Sequence, residues 1–150
     1  MLNEYSFDDI YIRHAIDKEP DGKDFTMHIH DRCEIYFFIS GNVEYLVEGS
    51  KYPLAENSLM IMRPAEAHSP KINGGGTYVN FPLDLLKGID TEMRLMTPFT
   101  NRILGKDNMF SAEEFDTKLV HRLFSEMCSD NDDYGKRLTI NTHLIALLEL

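Results

Sequence analysis

Long hydrophobic runs are missing from this sequence: no apolar stretch approaches the roughly 20 residues that cross a bilayer as a helix, so no membrane partner is expected. Cysteine is scarce. The two present, Cys33 and Cys128, sit far apart with no CxxC pattern, and read as reduced thiols in a cytoplasmic protein. Positive charge is in deficit, with 15 Lys and Arg against 25 Asp and Glu and a net charge of −10. A surface of that sign repels phosphate, which makes this segment a poor nucleic-acid binder on its own; the charge otherwise serves solubility. The opening Met1-Leu2-Asn3-Glu4-Tyr5 has neither a basic nor an apolar leader region, so no signal peptide is expected. There is no internal repeat and no low-complexity tract. What is present is an apolar fraction of 43% in 150 residues, enough for one globular domain with a sizeable core.

The chain changes character near Pro82. Before it, turn residues punctuate β-branched and aromatic runs. Ile35–Ile39 reads as a strand, and Val43–Glu48 follows after Ser40-Gly41-Asn42, a pattern that predicts a hairpin around a Gly-Asn turn. Leu59–Met62 is a short strand stopped by Arg63-Pro64, Gly74-Gly75-Gly76 reads as a loop, and Thr77–Phe81 as one more strand. Strands of this length and spacing predict a barrel or sandwich. After Pro82 the pattern is helical: a short helix carrying Leu83, Leu85, Leu86 and Ile89, a second from Thr91 to Leu104 broken or kinked at Pro98, a third capped by Ser111 with Glu114 three residues on and running to Cys128, and a last from Tyr134 to Leu150. Residues 1–82 are thus expected to form a barrel with an amino-terminal arm up to about Asp21, and residues 83–150 a helical region of the same domain. The acidic tract Asp130-Asn131-Asp132-Asp133 is expected to be a solvated loop; it lacks the length and closing glutamate of an EF-hand. The last helix stops on Leu-Glu-Leu with no capping glycine, which suggests a fragment cut from a longer protein.

Four residues carry candidate chemistry. His28 and His30 are two apart and share one face of a strand, and Glu34 lies at the same parity. His68 arrives from a different strand. Three imidazoles and a carboxylate converging in a barrel suit a divalent transition metal, with Zn, Ni, Mn or Fe as candidates. They equally suit a metal-free pocket that hydrogen-bonds an effector, or a relic of the fold satisfied internally. Tyr36, Phe38, Val43, Tyr45 and Val47 share faces by period two, either as cavity walls or as ordinary core, with Tyr36 and Tyr45 standing out because a buried hydroxyl wants a partner.

Gly22, His28, His30, Glu34 and Gly41 reproduce the first cupin motif, G-x5-H-x-H-x3-E-x6-G, without departure. The second motif, G-x5-P-x-G-x2-H-x3-N, is degenerate: His68 is kept, Asn57, Arg63 and Ala65 replace the first glycine, the proline and the second glycine, and Asn73 falls one place late. Asn57 tolerates positive φ, whereas Ala65 suggests a differently shaped turn. Within the cupins, His28–Gly41 and Tyr52–Ile61 resemble the signatures of AraC-type transcription regulators, as does Asn80-Phe81 before a leucine-rich helical tail. The resemblance implies a mainly β fold, a cupin-like antiparallel β-barrel (double-stranded β-helix) followed by α-helices. It implies a sensor rather than an enzyme, binding a small polar effector, such as a sugar, through His28, His30, Glu34, Tyr36, Phe38, Tyr45 and His68. It also implies a homodimer through the carboxy-terminal helices, and DNA binding only through a helix-turn-helix domain beyond residue 150. The rival reading is a metal-dependent cupin enzyme, a dioxygenase or isomerase, using the three histidines and Glu34.

Overall fold

A computed structural model of the chain describes residues 2–7, 10–15, 29, 31–88, 90–128 and 133–149. Seven strands form one antiparallel sheet: β1 (Leu2–Phe7), β2 (Ile10–Ala15), β3 (Arg32–Val47), β4 (Ser50–Leu54), β5 (Leu59–Met62), β6 (His68–Pro82) and β7 (Met109–Phe110). The sheet is ordered β1-β2-β6-β3-β5-β7, with β4 also on β3. This hydrogen-bonded path does not close on itself among the described residues, so the fold is mainly β and cupin-like, but not a sealed barrel. Part of the expected arm is itself sheet, because β1 and β2 pair as a hairpin and β2 adds to β6.

The central element is β3, 16 residues long. The hairpin expected around Ser40-Gly41-Asn42 is not formed; instead both halves of β3 pair with β6 over its whole length, from Arg32↔Pro82 to Val47↔His68. On its other edge, β3 pairs with β5 near Glu34–Phe37 and with β4 near Val43–Val47. Between those halves the register slips at Phe38/Ser40, and Gly41 has φ 104°. A bulge of this kind bends a strand and adds an odd residue to its alternation. Opposite the bend lie Gly74, Gly75 and Gly76, which are strand residues at a corner rather than the loop the sequence suggests. A Cβ on Gly76 would lie 2.6 Å from Tyr36 Cζ and 2.9 Å from the Phe37 carbonyl oxygen. The true hairpin is β3–β4, closed by Glu48 and Gly49 at φ 47° and 83°, the positive pair that a two-residue turn requires.

The bend gives the sheet two packed faces. Inside it, Tyr36, Phe38, Met60 and Met62 from one half meet Val43, Tyr45, Val47 and Leu54 from the other. The parity switch from 36 and 38 to 43, 45 and 47 is the mark of the bulge. On the opposite face, Cys33, Ile35, Phe37, Ile61, Val79 and Phe81 pack against the helical segment. Neither cysteine is in a disulfide and both are buried; burial raises their thiols to about 12 for Cys33 and about 11 for Cys128, so neither is a thiolate at neutral pH.

The helical segment is shorter than its periodicity suggests. Residues 83–88 are turns, not a helix, closed by bonds such as Leu85 N–H to Pro82 O at 3.1 Å. Residues 91–104 hold only a 3₁₀ turn and the single turn α1 (Thr97–Thr100), in which Pro98 sits at the start, where its missing N–H costs nothing. Ser111 and Glu114 do bond reciprocally, but they close a turn; α2 (Thr117–Met127) begins six residues later, where Asp116 accepts the Leu119 N–H at 3.1 Å. Helix α2 buries Val120, Leu123, Phe124 and Met127, an i, i+3, i+4, i+7 stripe. The Phe124 ring stacks on Phe37 at 6.0 Å and 8°. Helix α3 (Asp133–Leu148) buries Ile140, Leu144 and Leu147 in the same core and leaves Leu138 51% exposed.

A buried carboxylate ties the β5–β6 connection to the segment leading into β7. Glu66 is fully buried and accepts from both terminal nitrogens of Arg102 at 2.7 and 2.8 Å, from Gly105 N–H at 2.8 Å, Asn108 Nδ2 at 3.0 Å and Arg63 N–H at 3.1 Å. Burial works to raise its pKa, but the Arg102 fork and the backbone donors win and hold it at about 2. Gly105 is required where it lies: its φ is 76°, and a Cβ would meet the Val47 carbonyl oxygen at 2.9 Å. The two connections flanking β5 both hold a residue in the left-handed region, Asn57 before it and Ala65 after it, with φ of 66° and 63°. Ala65, where the motif has glycine, therefore bears left-handed strain.

Two stability predictions follow from this network. Replacing Ala65 by Gly should stabilise the fold by about 1 kcal/mol by relieving that strain, as read by urea unfolding. Glu66→Gln leaves Arg102 buried without its charge partner and should cost about 3–5 kcal/mol. Because the folded pKa of Glu66 lies below its ordinary value of 4.5, its contribution is full above about 4.5 and is lost as pH falls toward about 2. Unfolding curves from pH 6 downward should show that loss in the native chain and not in Glu66→Gln.

Candidate functional site

The interior of the bend is where chemistry-bearing side chains gather. Glu34 is registered opposite Met62 on β5 and Asn80 on β6, and is buried. Two residues on, Tyr36 is opposite Met60 and Tyr78. Cross-strand partners share a face, so Glu34, Tyr36, Tyr78 and Asn80 look into one space. Tyr45 comes from the other half of β3, its ring centroid 5.4 Å from that of Tyr36.

The proximity of these groups shifts their titration. Burial raises the Tyr45 phenol well above its ordinary pKa, and the negative charge of Glu34 adds to the rise. Tyr78 is raised by the same causes, burial first, together with its neighbour Tyr11, whose ring lies 5.8 Å away. These phenols are neutral at physiological pH, so each offers one donor and one acceptor. At the edge of this wall Arg32 donates through Nε to Asn80 Oδ1 at 2.7 Å and through a terminal nitrogen to the Asn80 carbonyl at 3.3 Å.

His68 opens β6 opposite Val47 and is buried on the same interior face. Its Nδ1 lies 2.9 Å from the Glu66 carbonyl oxygen, which links the imidazole to the network around Arg102. With Nδ1–H donating there, Nε2 carries the lone pair.

Of the residues singled out from sequence, Glu34, Tyr36, Phe38 and Tyr45 are thus brought together, with His68 on the same face beside Val47. His28 and His30 lie outside the described residues. Among the described residues no three His, Cys, Asp or Glu side chains are grouped as a metal would need; Glu34 and His68 are the two expected ligands that the description reaches. Sequence reasoning missed Tyr78 and Asn80. Their signal was present, since Tyr78 and Asn80 alternate with buried Val79 and Phe81, but the partner strand's register was needed to place them beside Glu34 and Tyr36. Two cavities open on the other side of the sheet, toward the helices. One, about 220 Å³, lies among Ile35, Leu59, Ile61, Phe99, Phe115 and Leu147; the other, about 240 Å³, lies between β2, β3, β6 and α2.

Comparison with solved structures finds likeness in cupins at low identity. The structure of KdgF from Halomonas sp. is 19% identical with a TM-score of 0.43, covering 49% of this chain and 70% of that one. A cupin protein from Bacteroides fragilis is 19% identical with a TM-score of 0.41, covering 51% and 68%. The Cnp3 cupin domain of Schizosaccharomyces pombe is 11% identical with a TM-score of 0.47, covering 58% and 67%. Comparison with curated proteins finds no match. No helix among the described residues is long and apolar enough to cross a membrane. The model of the AraC-like ligand binding domain matches residues 13–148, taking in β3–β7 and α1–α3. With nearly all of its length inside that match, the chain belongs to the AraC-like ligand binding domain family.

Proposed function

We propose that this chain is the effector-sensing domain of a transcription regulator, and that it takes a small polar metabolite of the sugar class between the two halves of the bent sheet. The observation that carries the reading is the wall formed by Glu34, Tyr36, Tyr45 and Tyr78. A carboxylate and three phenols alternate donors and acceptors, which matches a polyol, and the flat rings offer the apolar faces on which a sugar's C–H edges rest. His68 adds an imidazole, and His28 and His30 belong to the same proposal through their place in the motif. A divalent metal held by His28, His30, Glu34 and His68 is the alternative use of these side chains.

Binding there biases the molecule only through a difference in affinity between conformations. The route available is short: His68 touches Glu66, and Glu66 holds Arg102 in the segment beside α1. The proposed output is a homodimer through the carboxy-terminal helices, acting on DNA through a helix-turn-helix domain joined beyond residue 150. Ile140, Leu144 and Leu147 are already committed to the chain's own core, so the dimer contact is assigned to the side of α3 that carries exposed Leu138.

Calorimetric titration of a sugar panel into metal-free protein tests the sensor. One sugar should bind, and Glu34→Gln and Tyr45→Phe, both conservative in shape, should each weaken it about tenfold, the loss of one buried hydrogen bond. Stoichiometric metal that is lost in His68→Ala, with no sugar bound by either form, would instead establish the metal site and overturn the sensor reading. In sedimentation velocity, Leu138→Glu should shift the chain from dimer to monomer without loss of helix signal.

A further inference from the structure

A second polar constellation lies on the helix-facing side of the sheet, across it from the tyrosine wall. His14 of β2 and His121 of α2, together with Ser125 one turn further along α2, line the cavity of about 240 Å³. Its walls are apolar: Phe37, Ile39 and Phe124. Each imidazole has one nitrogen engaged. His14 Nδ1 is bonded to Thr77 Oγ1, and His121 Nε2 to Asn57 Oδ1 at 2.9 Å. The second nitrogen of each has no protein partner among the described residues. Among the described residues, no Asp, Glu, Lys or Arg lines the cavity.

We propose that this cleft binds a small carboxylate with an apolar body. The two imidazoles and the Ser125 hydroxyl supply up to three donors for the carboxylate oxygens, and Phe37, Ile39 and Phe124 receive the rest. The volume lies below the usual range of about 300–1,000 Å³ for drug-sized ligands, which limits the occupant to the scale of one ring or a short alkyl chain. A carboxylate also supplies the countercharge that the cleft lacks. Burial, aided by nearby positive charge that includes His121, lowers the pKa of His14; an anion beside it acts in the opposite sense. A metal is the poorer fit, because the two histidines find no third His, Cys, Asp or Glu among the described residues. The occupant would join β2 to α2 and so couple the sheet to the helical layer. This site is independent of the effector reading, since it uses none of the same side chains.

The test is calorimetric titration of benzoate into the whole chain, in two buffers of different ionisation enthalpy. Benzoate should bind with net proton uptake, and benzyl alcohol, which keeps the ring and lacks the charge, should bind at least about tenfold more weakly. His121 and Ser125 are exposed, so His121→Ala and Ser125→Trp are expected to fold, as circular dichroism will verify. Both should weaken benzoate by at least about tenfold, the first by losing a donor and the second by filling the cleft, while Glu34→Gln keeps it. No binding at millimolar benzoate would overturn the proposal. So would binding lost in Glu34→Gln and kept in the two cleft variants, which would put the probe inside the bend. Zn(II) binding that needs His14 and His121, without benzoate binding, would assign the cleft to a cation instead.

Discussion

The bend in β3 is the constraint on which the rest depends. A strand of 16 residues that ran straight would carry Tyr36 and Tyr45 roughly 30 Å apart at about 3.3 Å per residue. Their rings are 5.4 Å apart instead. The slip at Phe38/Ser40, the left-handed Gly41 and the three glycines facing them on β6 let both strands turn the corner together. The connection from β4 to β5 turns with them, its backbone bonded across the bulge by Phe38 N–H to Ser58 O at 3.0 Å and Asn57 N–H to Phe38 O at 2.9 Å. Without the corner there is no interior, and Glu34 would lie on a flat sheet open to water.

The Glu66 network holds the far side of this arrangement. A buried ion pair is weak evidence for net stability, but breaking one is costly. Here the carboxylate satisfies five donors at once, including an arginine fork and two backbone groups. It fixes the turn before His68 and the segment before β7 in one stroke. The same turn carries Ala65 where the family's motif has glycine. The chain accepts that backbone strain, and the adjacent Glu66 network is a sufficient reason why it can.

Much of this was legible in the sequence, and the failures have physical causes. Leu59–Met62 and the last helix were readable because each is a run with one period and clear flanks. The inward set Tyr36, Phe38, Val43, Tyr45 and Val47 was readable because alternation survives a bulge on either side of it. What misled was turn chemistry. Ser40-Gly41-Asn42 and Gly74-Gly75-Gly76 look like a hairpin turn and a loop, yet paired against each other they make a corner within two long strands, and one sequence segment does not reveal that its partner is equally flexible. Ser111 and Glu114 bond to each other without capping a helix: the Ser111 N–H and hydroxyl both donate to the Glu114 carboxylate, and the Glu114 N–H reaches the Ser111 carbonyl, which closes an isolated turn. The apolar spacing in residues 83–104 was real, but it serves turns lying on the sheet. Tyr78 and Asn80 showed their alternation but not their place beside Glu34 and Tyr36, and the two histidines of the proposed cleft, His14 and His121, come together only from distant parts of the chain.

The functional account combines family membership with that geometry: a ligand-binding domain whose polar interior exists because one strand turns a corner. Its central claim is therefore about backbone pairing, and NOE spectroscopy of the isotopically labelled chain tests it most directly. The ring contact between Tyr36 and Tyr45 does not decide the matter, because a hairpin around Gly41 would also bring those rings together. The backbone does. The account predicts cross-strand NOEs from Tyr36 to Tyr78 and Met60, and from Leu46 to Ser69, in the observed register. NOEs that pair the backbone of Phe38 with Val43 and of Tyr36 with Tyr45, with none to Tyr78, would contradict it.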